Sequence, residues 1–217
     1  SWLFLGGRCR RCGKKLSVQY PLVELTMGGL FALSGWQGGL VGWSWGGEEI
    51  FKTGFFLAFS FLFLVIALWD GKYMVIPDNL IWIGLVLAVL LAVGEGFISQ
   101  NCFFSGWHCV FIQSGLGAFL VFGFFFLMFH FSSGRWIGGG DVRLGLLIGF
   151  LAGWENVYWL LLLAYLSGAL AAVALLLAKR KKMSSQIPFG PFLLLASYVV
   201  LLWEDEVGRW AEILFGF

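Results

Sequence analysis

The chain has 217 residues, of which 60% are hydrophobic and only 12% are charged, against about 25% charged residues in soluble domains. This composition excludes an ordinary soluble protein and predicts an all-α integral membrane protein, because only helices and closed barrels satisfy their backbone in lipid. The net charge of +2 gives no indication of a nucleic-acid partner.

Seven apolar runs follow one another, and we expect about seven transmembrane helices in a bundle: 20–36, 50–69, 79–97, 109–131, 140–153, 157–178 and 187–203. The basic segment 1–19 precedes them, and 20–217 is expected to be one membrane domain. The fifth run is too short to span a bilayer of about 30 Å comfortably. Because only the segment ENV separates it from the sixth run, we predict a tight hairpin on the outside face.

The placement of the basic residues predicts the orientation of the chain. When the seven runs alternate from a cytoplasmic N-terminus, 12 of the 14 Lys and Arg residues fall inside, and only Lys52 and Arg209 fall outside. Loops on the cytoplasmic side are enriched in Lys and Arg, so this orientation is favoured. It places Asp70, Asp78 and Asp141 at the cytoplasmic edge of the membrane.

The four cysteines divide between the two sides of the predicted membrane domain. Cys9 and Cys12 form a C-x-x-C pair in the basic cytoplasmic segment. Cys102 and Cys109 lie in an outside loop, where an oxidising compartment permits a disulfide. Two unpaired thiols at the membrane edge are the alternative, and we slightly favour the disulfide.

Two carboxyl groups are expected at membrane depth. Asp70 directly follows an apolar run and has no local capping role, whereas Asp78, after Pro77, is suited to cap the next helix. Asp141 opens the short fifth run. Because an ionisable group within the membrane is costly, it is by default a functional hypothesis. Side by side, Asp70 and Asp141 would share one proton and activate a water for attack on a peptide carbonyl, as in aspartyl proteases.

Glycines near Asp141 fall into two groups. Three precede it directly and would let an extended substrate approach the backbone: Gly138, Gly139 and Gly140. Three more recur every four residues and predict a face for close helix packing: Gly145, Gly149 and Gly153.

The residues alone leave other interpretations of the aspartates open. Charges at the cytoplasmic edge that contact headgroups, or pair with Lys72 and Arg143, are about as frequent as catalytic ones. A proton-coupled transporter would use the same carboxyl groups as a relay, and a non-catalytic scaffold would need neither. Transporter sites usually lie near the bilayer midplane between inverted repeats, and this sequence shows neither feature.

Four blocks resemble, in order, segments of the type IV prepilin peptidases: RCRRCGKKLSVQYPLVEL, DGKYMVIPDNL, WIGGGDVRL and IPFGPFL. The third block contains the G-x-G-D signature at Gly138, Gly140 and Asp141. The resemblance implies that Asp70 and Asp141 are the catalytic pair and that no metal takes part in hydrolysis. It also implies cleavage of the leader of type IV prepilins and type II secretion pseudopilins, after a glycine, at the cytoplasmic face of the bacterial inner membrane.

The resemblance further implies a methyltransferase activity that uses S-adenosylmethionine, and a zinc site made by two C-x-x-C pairs. The chain shows one pair, Cys9 and Cys12. If a second pair lies upstream, 1–19 is the remnant of a zinc-binding domain, and zinc and methylation are expected; if there is none, the two-cysteine site is incomplete and neither is expected. Glu24 would orient a substrate amine or S-adenosylmethionine, or would only pair with a neighbouring lysine.

Overall fold

The computed structural model describes Trp2 and residues 5–37, 46–98, 110–178 and 187–203. Within these ranges the regular structure is helical: α1 (Gln19–Gln37), α2 (Gly47–Tyr73), α3 (Asp78–Ile98), α4 (Val110–Ser132), α5 (Gly139–Leu177) and α6 (Gly190–Leu202). An isolated antiparallel bridge between Arg8 and Lys15 closes a small turn near the N-terminus. The prediction of an all-α fold is therefore confirmed for the described part of the chain.

Four of the described helices are long and apolar enough to cross a membrane, and their spanning segments are Glu49–Tyr73, Asp78–Gly96, Val110–Ser132 and Gly139–Leu177. Large apolar side chains also cover their outer surfaces, and Phe119 and Phe131 of α4 are 71% and 76% exposed. Such faces suit a lipid environment. The chain is thus a multi-pass membrane protein, whereas the count of seven spans is not confirmed.

The helices belong to two compact units, residues 1–61 and 62–217. In the first unit, the buried hydroxyl groups of Ser34 and Ser60 lie 3.2 Å apart and connect α1 to α2. The second unit contains the end of α2, the helices α3 to α6, and both predicted catalytic aspartates.

Helix α5 is broken at Gly153, whose φ of 68° and ψ of 166° are not helical. Asp141 and Tyr165 lie 12 residues before and after this glycine, and they interact electrostatically. A straight helix would separate them by about 36 Å, so the two arms of α5, 139–152 and 154–177, fold back on one another. The predicted hairpin is present, and its reversal is at Gly153 rather than in the segment ENV.

Helix α4 packs against both arms of α5. Met128 accepts a hydrogen bond from the Tyr165 hydroxyl at 3.3 Å, and Gln113 donates one to Glu155 at 3.1 Å. On the other arm, a Cβ added at Gly149 would lie 2.5 Å from the Gly117 carbonyl oxygen. The glycine backbones of α4 and α5 are therefore in direct contact, as the four-residue spacing predicted.

Candidate active site

Asp70 lies in the last turn of α2, where the buried apolar side chains of Leu62, Phe63 and Ile66 anchor the helix. The Asp70 side chain is almost fully enclosed, with 5% exposure. Its Oδ2 atom is buried and has no hydrogen-bond partner within the described ranges. A carboxyl group is seldom buried in this way for structural reasons, because its desolvation is costly when no partner compensates it.

Asp141 lies in the first turn of α5, and the N-cap of this helix is Gly138. The Asp141 Oδ2 atom accepts a hydrogen bond of 3.3 Å from the Gly138 N–H group, while the Asp141 N–H group donates one of 3.1 Å to the Gly138 carbonyl. This reciprocal pair fixes the carboxyl group at the beginning of the helix. The helix N-terminus also carries a partial positive charge that favours a carboxylate at this position.

The two carboxyl groups lie together although 71 residues of chain separate them. They interact electrostatically, and both line a cavity of about 470 Å³. The loop 74–77 after α2, together with Gly138–Gly140 at the N-cap and first turn of α5, forms much of the remaining wall. The structure thus brings Asp70, Asp141 and the three predicted glycines to one site.

The glycines before Asp141 allow a close approach between the start of α5 and the loop 74–77. A Cβ added at Gly140 would lie 3.1 Å from the Cβ of Ile76, and one added at Gly138 would lie 3.3 Å from Oδ2 of Asp141. Side chains at these positions would crowd the wall of the cavity beside the carboxyl groups. The chain therefore presents bare backbone to anything that enters the cavity.

The charged side chains beside the site contact partners other than Asp70 and Asp141. Arg143 forms an ion pair with Asp78, and both side chains are about half exposed. The Lys72 ammonium lies 4.9 Å from the centroid of the Tyr73 ring. In the described part of the chain, Asp70 and Asp141 form no ion pair, so the interpretation of them as edge charges held by Lys72 and Arg143 is not supported. Asp78 lies in the first turn of α3, and its carboxylate is engaged by Arg143.

Two residues at the site were not predicted from the sequence. Gly190, the first residue of α6, packs against the carboxyl group of Asp70. Tyr165, on the second arm of α5, interacts electrostatically with Asp141. The block IPFGPFL contained a signal for Gly190, since a glycine between bulky residues at a helix start indicates close packing, but nothing in the sequence indicated what it contacts.

The cysteine turn lies in the first unit. The Cys9 carbonyl accepts a hydrogen bond from Gly13 N–H, and Cys9 N–H donates to the Lys14 carbonyl. The N–H groups of Cys12 and Arg11 lower the pKa of the Cys9 thiol. Both thiols are free, and no cluster of three or more metal-ligating side chains occurs within the described ranges. Two thiolates supply half of a tetrahedral zinc site.

Two further predictions, about residues outside the cavity, are not tested by the structure. Cys102 and Cys109 lie outside the described residues, so their disulfide stays a prediction. Glu24 is an exposed residue of α1, and its role also stays a prediction.

Comparison with known proteins identifies similar chains over nearly the whole length. Residues 57–173 match the type IV leader peptidase family, and residues 1–38 match the bacterial peptidase A24 N-terminal domain. A prepilin leader peptidase/N-methyltransferase of Aeromonas hydrophila is 31% identical over 97% of this chain and 67% of its own length. A protein of the same description from Stutzerimonas stutzeri is 28% identical over 95% of this chain and 66% of its own length. Another, from Pseudomonas putida, is 30% identical over 100% of this chain and 70% of its own length. The chain thus spans about two thirds of these relatives, and no solved structure matches it.

Proposed function

Since the chain belongs to the type IV leader peptidase family, we propose that it is a membrane aspartyl endopeptidase with Asp70 and Asp141 as its catalytic pair. Its substrates are type IV prepilins or the related pseudopilins of type II secretion, whose leader it removes. The similar proteins are described as prepilin leader peptidases, which supports this substrate class. The proton-coupled transporter that the aspartates alone left open finds no support in these similarities.

The observation that carries the proposal is the meeting of two carboxyl groups in one cavity, with no cation paired to either in the described part of the chain. Two acidic groups that share a desolvated site hold one proton between them. The ionised group takes a proton from a water molecule as the water attacks the scissile carbonyl carbon. The protonated group donates a hydrogen bond to the carbonyl oxygen. When the tetrahedral intermediate collapses, the C–N bond breaks, and the leaving amine takes the proton that the first carboxylate removed from the water, which returns the pair to its singly protonated state.

The backbone at Gly138, Gly139 and Gly140 is proposed to hold the substrate in an extended conformation beside the aspartates. These residues line the cavity, and they offer peptide groups without side chains in the way. The N–H groups of Gly139 and Gly140 belong to the first turn of α5, where a helix offers them no acceptor, so carbonyl groups of an extended peptide can accept hydrogen bonds from them, and this positions the scissile bond for attack.

The site is proposed to lie at the cytoplasmic face of the bacterial inner membrane, in the membrane domain 20–217. The distribution of Lys and Arg over the predicted loops supports this orientation. A substrate whose hydrophobic segment lies in the same bilayer would then present its leader at the level of the cavity. Peptide hydrolysis by two carboxyl groups requires no metal ion or cofactor.

Methylation of the new N-terminus with S-adenosylmethionine is a second proposed activity, supported by the N-methyltransferase in the relatives' descriptions. Glu24 is the proposed residue for orienting the amine or the methyl donor. In the segment 1–19, Cys9 and Cys12 would hold zinc together with two further ligands, and the bound ion would stabilise this turn.

Asp70→Asn and Asp141→Asn test the proposed hydrolysis. Asn keeps the volume of Asp, and at position 141 it keeps an oxygen that accepts the Gly138 hydrogen bond, so we expect both variants to fold. Cleavage should fall by about 10² to 10⁴, the usual contribution of a general acid or base. The assay incubates each purified variant with a prepilin and measures the mass of the product's N-terminus, which reports cleavage and methylation together.

Glu155→Gln is the matched control, because Glu155 is an exposed carboxylate at the bond to Gln113, and the substitution again replaces a carboxylate with an amide. It should leave cleavage unchanged. Cleavage retained by either aspartate variant would refute the catalytic pair.

A further inference from the structure

The first turn of α6 approaches the carboxyl group of Asp70 more closely than any side chain would permit. An ideal Cβ at Gly190 would lie 2.6 Å from Oδ2 and 3.1 Å from Cγ of Asp70, and 3.4 Å from the Cδ1 atom of Ile76. Real Cβ atoms essentially never come within 3.0 Å of another group. The Asp70 side chain cannot yield easily, because it is 5% exposed and enclosed by its neighbours. A glycine is therefore required at position 190 for the carboxyl group to occupy its present place.

The hydrogen bonding of α6 leads to the same contact independently. The N-cap residue Phe189 makes no side-chain capping bond, and Pro191 has no N–H group. The N–H groups of Phe192 and Leu193 donate to the Phe189 carbonyl. The Gly190 N–H group thus has no partner inside the helix, and it lies in the electrostatic neighbourhood of the Asp70 carboxyl group, whose Oδ2 atom accepts no hydrogen bond from the described residues. Asp70 occupies the place at which helices commonly hold an acidic cap.

We propose that Gly190 is a positioning residue, whose bare backbone at the start of α6 holds the Asp70 carboxyl group facing Asp141. This inference rests on the proposed function and adds a third segment of the chain to the active site. Each aspartate then lies against a glycine at the start of a helix: the Gly138 N–H group donates a hydrogen bond to Asp141 at the start of α5, and the Gly190 backbone packs directly against the Asp70 carboxyl group at the start of α6.

Gly190→Ala is the direct test on cleavage. Ordinary contact begins at 3.4 Å, so the new Cβ displaces the carboxyl group by about 0.8 Å. A misplacement of about 1 Å can reduce a rate about 100-fold. We expect kcat to fall by about 100-fold, KM to change less than about threefold because the substrate-binding backbone is untouched, and the pH–rate profile to be displaced.

Gly123→Ala is the control, because it lies in α4 with nothing within 4 Å of its added Cβ. It should leave kcat, KM and the pH–rate profile at wild-type values. A Gly190→Ala variant with the kcat and pH profile of Gly123→Ala would overturn the inference.

A second measurement does not depend on cleavage and remains informative if Gly190→Ala impairs folding. The unfolding equilibrium is measured by denaturant titration in detergent for Gly190→Ala, Asp70→Ala and the double variant. If the added methyl group collides with Asp70, Gly190→Ala shifts the unfolding equilibrium constant toward the unfolded state at least tenfold more in the presence of Asp70 than in the Asp70→Ala background, where the change in helix propensity remains but the collision does not. An equal effect in both backgrounds would show that Gly190 only packs, and would refute the inference.

The two proposals fail in different ways. If the wild-type protein cleaves no prepilin while the coupling between Gly190 and Asp70 is measured, the proposed function fails and the contact stands. If the wild-type protein cleaves and Gly190→Ala cleaves equally well, the function stands and the positioning role fails.

Discussion

The contact between the glycine backbones of α4 and α5 can be tested with one pair of substitutions on a single helix. In Gly117→Ala the added Cβ would lie 2.6 Å from the Gly153 carbonyl carbon and would also meet the Gly149 carbonyl oxygen. In Gly115→Ala, two residues earlier on α4, nothing lies within 4 Å of the added Cβ. Both substitutions carry the same change in side chain and in helix propensity, so their difference isolates the packing.

The expected magnitude follows from the distances. Ordinary contact begins at 3.4 Å, and the neighbours of Gly117 are backbone atoms that cannot rotate away, so α4 and α5 must separate by at least about 0.8 Å. Forcing one extra carbon into a packed interface costs about 1 to 3 kcal/mol. Replacing glycine by alanine in a helix stabilises both variants by about 1 kcal/mol through helix propensity. Gly117→Ala should therefore be about 2 kcal/mol less stable than Gly115→Ala. Its unfolding equilibrium constant should be about 30-fold larger.

The assay is denaturant titration of both variants in the same detergent, followed by circular dichroism. Equal stability of the two variants would show that the backbones of α4 and α5 are not in contact at Gly117. The reasoning about the packing of the hairpin would then be wrong, including the placement of Asp141 at its beginning.

Two further predictions concern the turn of the α5 hairpin and the cysteine turn. Gly153→Ala should destabilise the protein by about 1 to 3 kcal/mol, because a φ of 68° with a ψ of 166° belongs to a region open essentially to glycine alone. The same denaturant titration measures this loss of stability, with Gly123→Ala as the control. Equal stability of the two variants would show that the chain does not reverse at Gly153. Iodoacetamide should modify Cys9 with a midpoint at lower pH than a free cysteine peptide measured alongside, because the N–H groups of Cys12 and Arg11 favour its thiolate. Peptide mass spectrometry resolves this site, and a midpoint equal to that of the peptide would contradict the structure of the turn.

Several elements were predictable because their causes are local. The run 50–69 predicted α2 (Gly47–Tyr73), and the run 109–131 predicted α4 (Val110–Ser132), each within a few residues at its ends. The spacing of Gly145, Gly149 and Gly153 predicted a packing face, and two of these glycines meet α4 at Gly117. The reversal of the chain at Gly153 was not predicted, since a glycine in an apolar run serves equally well for packing or for a positive φ.

The contacts among charged groups were less accessible from the sequence. Asp78 follows a proline and resembles a helix cap, yet its partner is Arg143, 65 residues later in the chain. Gly190 stood in a recognisable block, but its contact with Asp70 joins two helices that are 120 residues apart. Neither partner can be read from spacing, because spacing reports only on neighbours within one helix.

The amino-acid sequence by itself determined that this is a multi-pass helical membrane protein and identified Asp70 and Asp141 as the acidic groups out of place in it. Length and apolar composition fix such properties, since a helix in lipid satisfies its own backbone. The folded structure was needed to show that both carboxyl groups line one cavity and that Gly190 packs against one of them. Helices that are apolar all round carry no polar face from which their rotation can be inferred, and the folded contacts alone determine which side of each helix points inward.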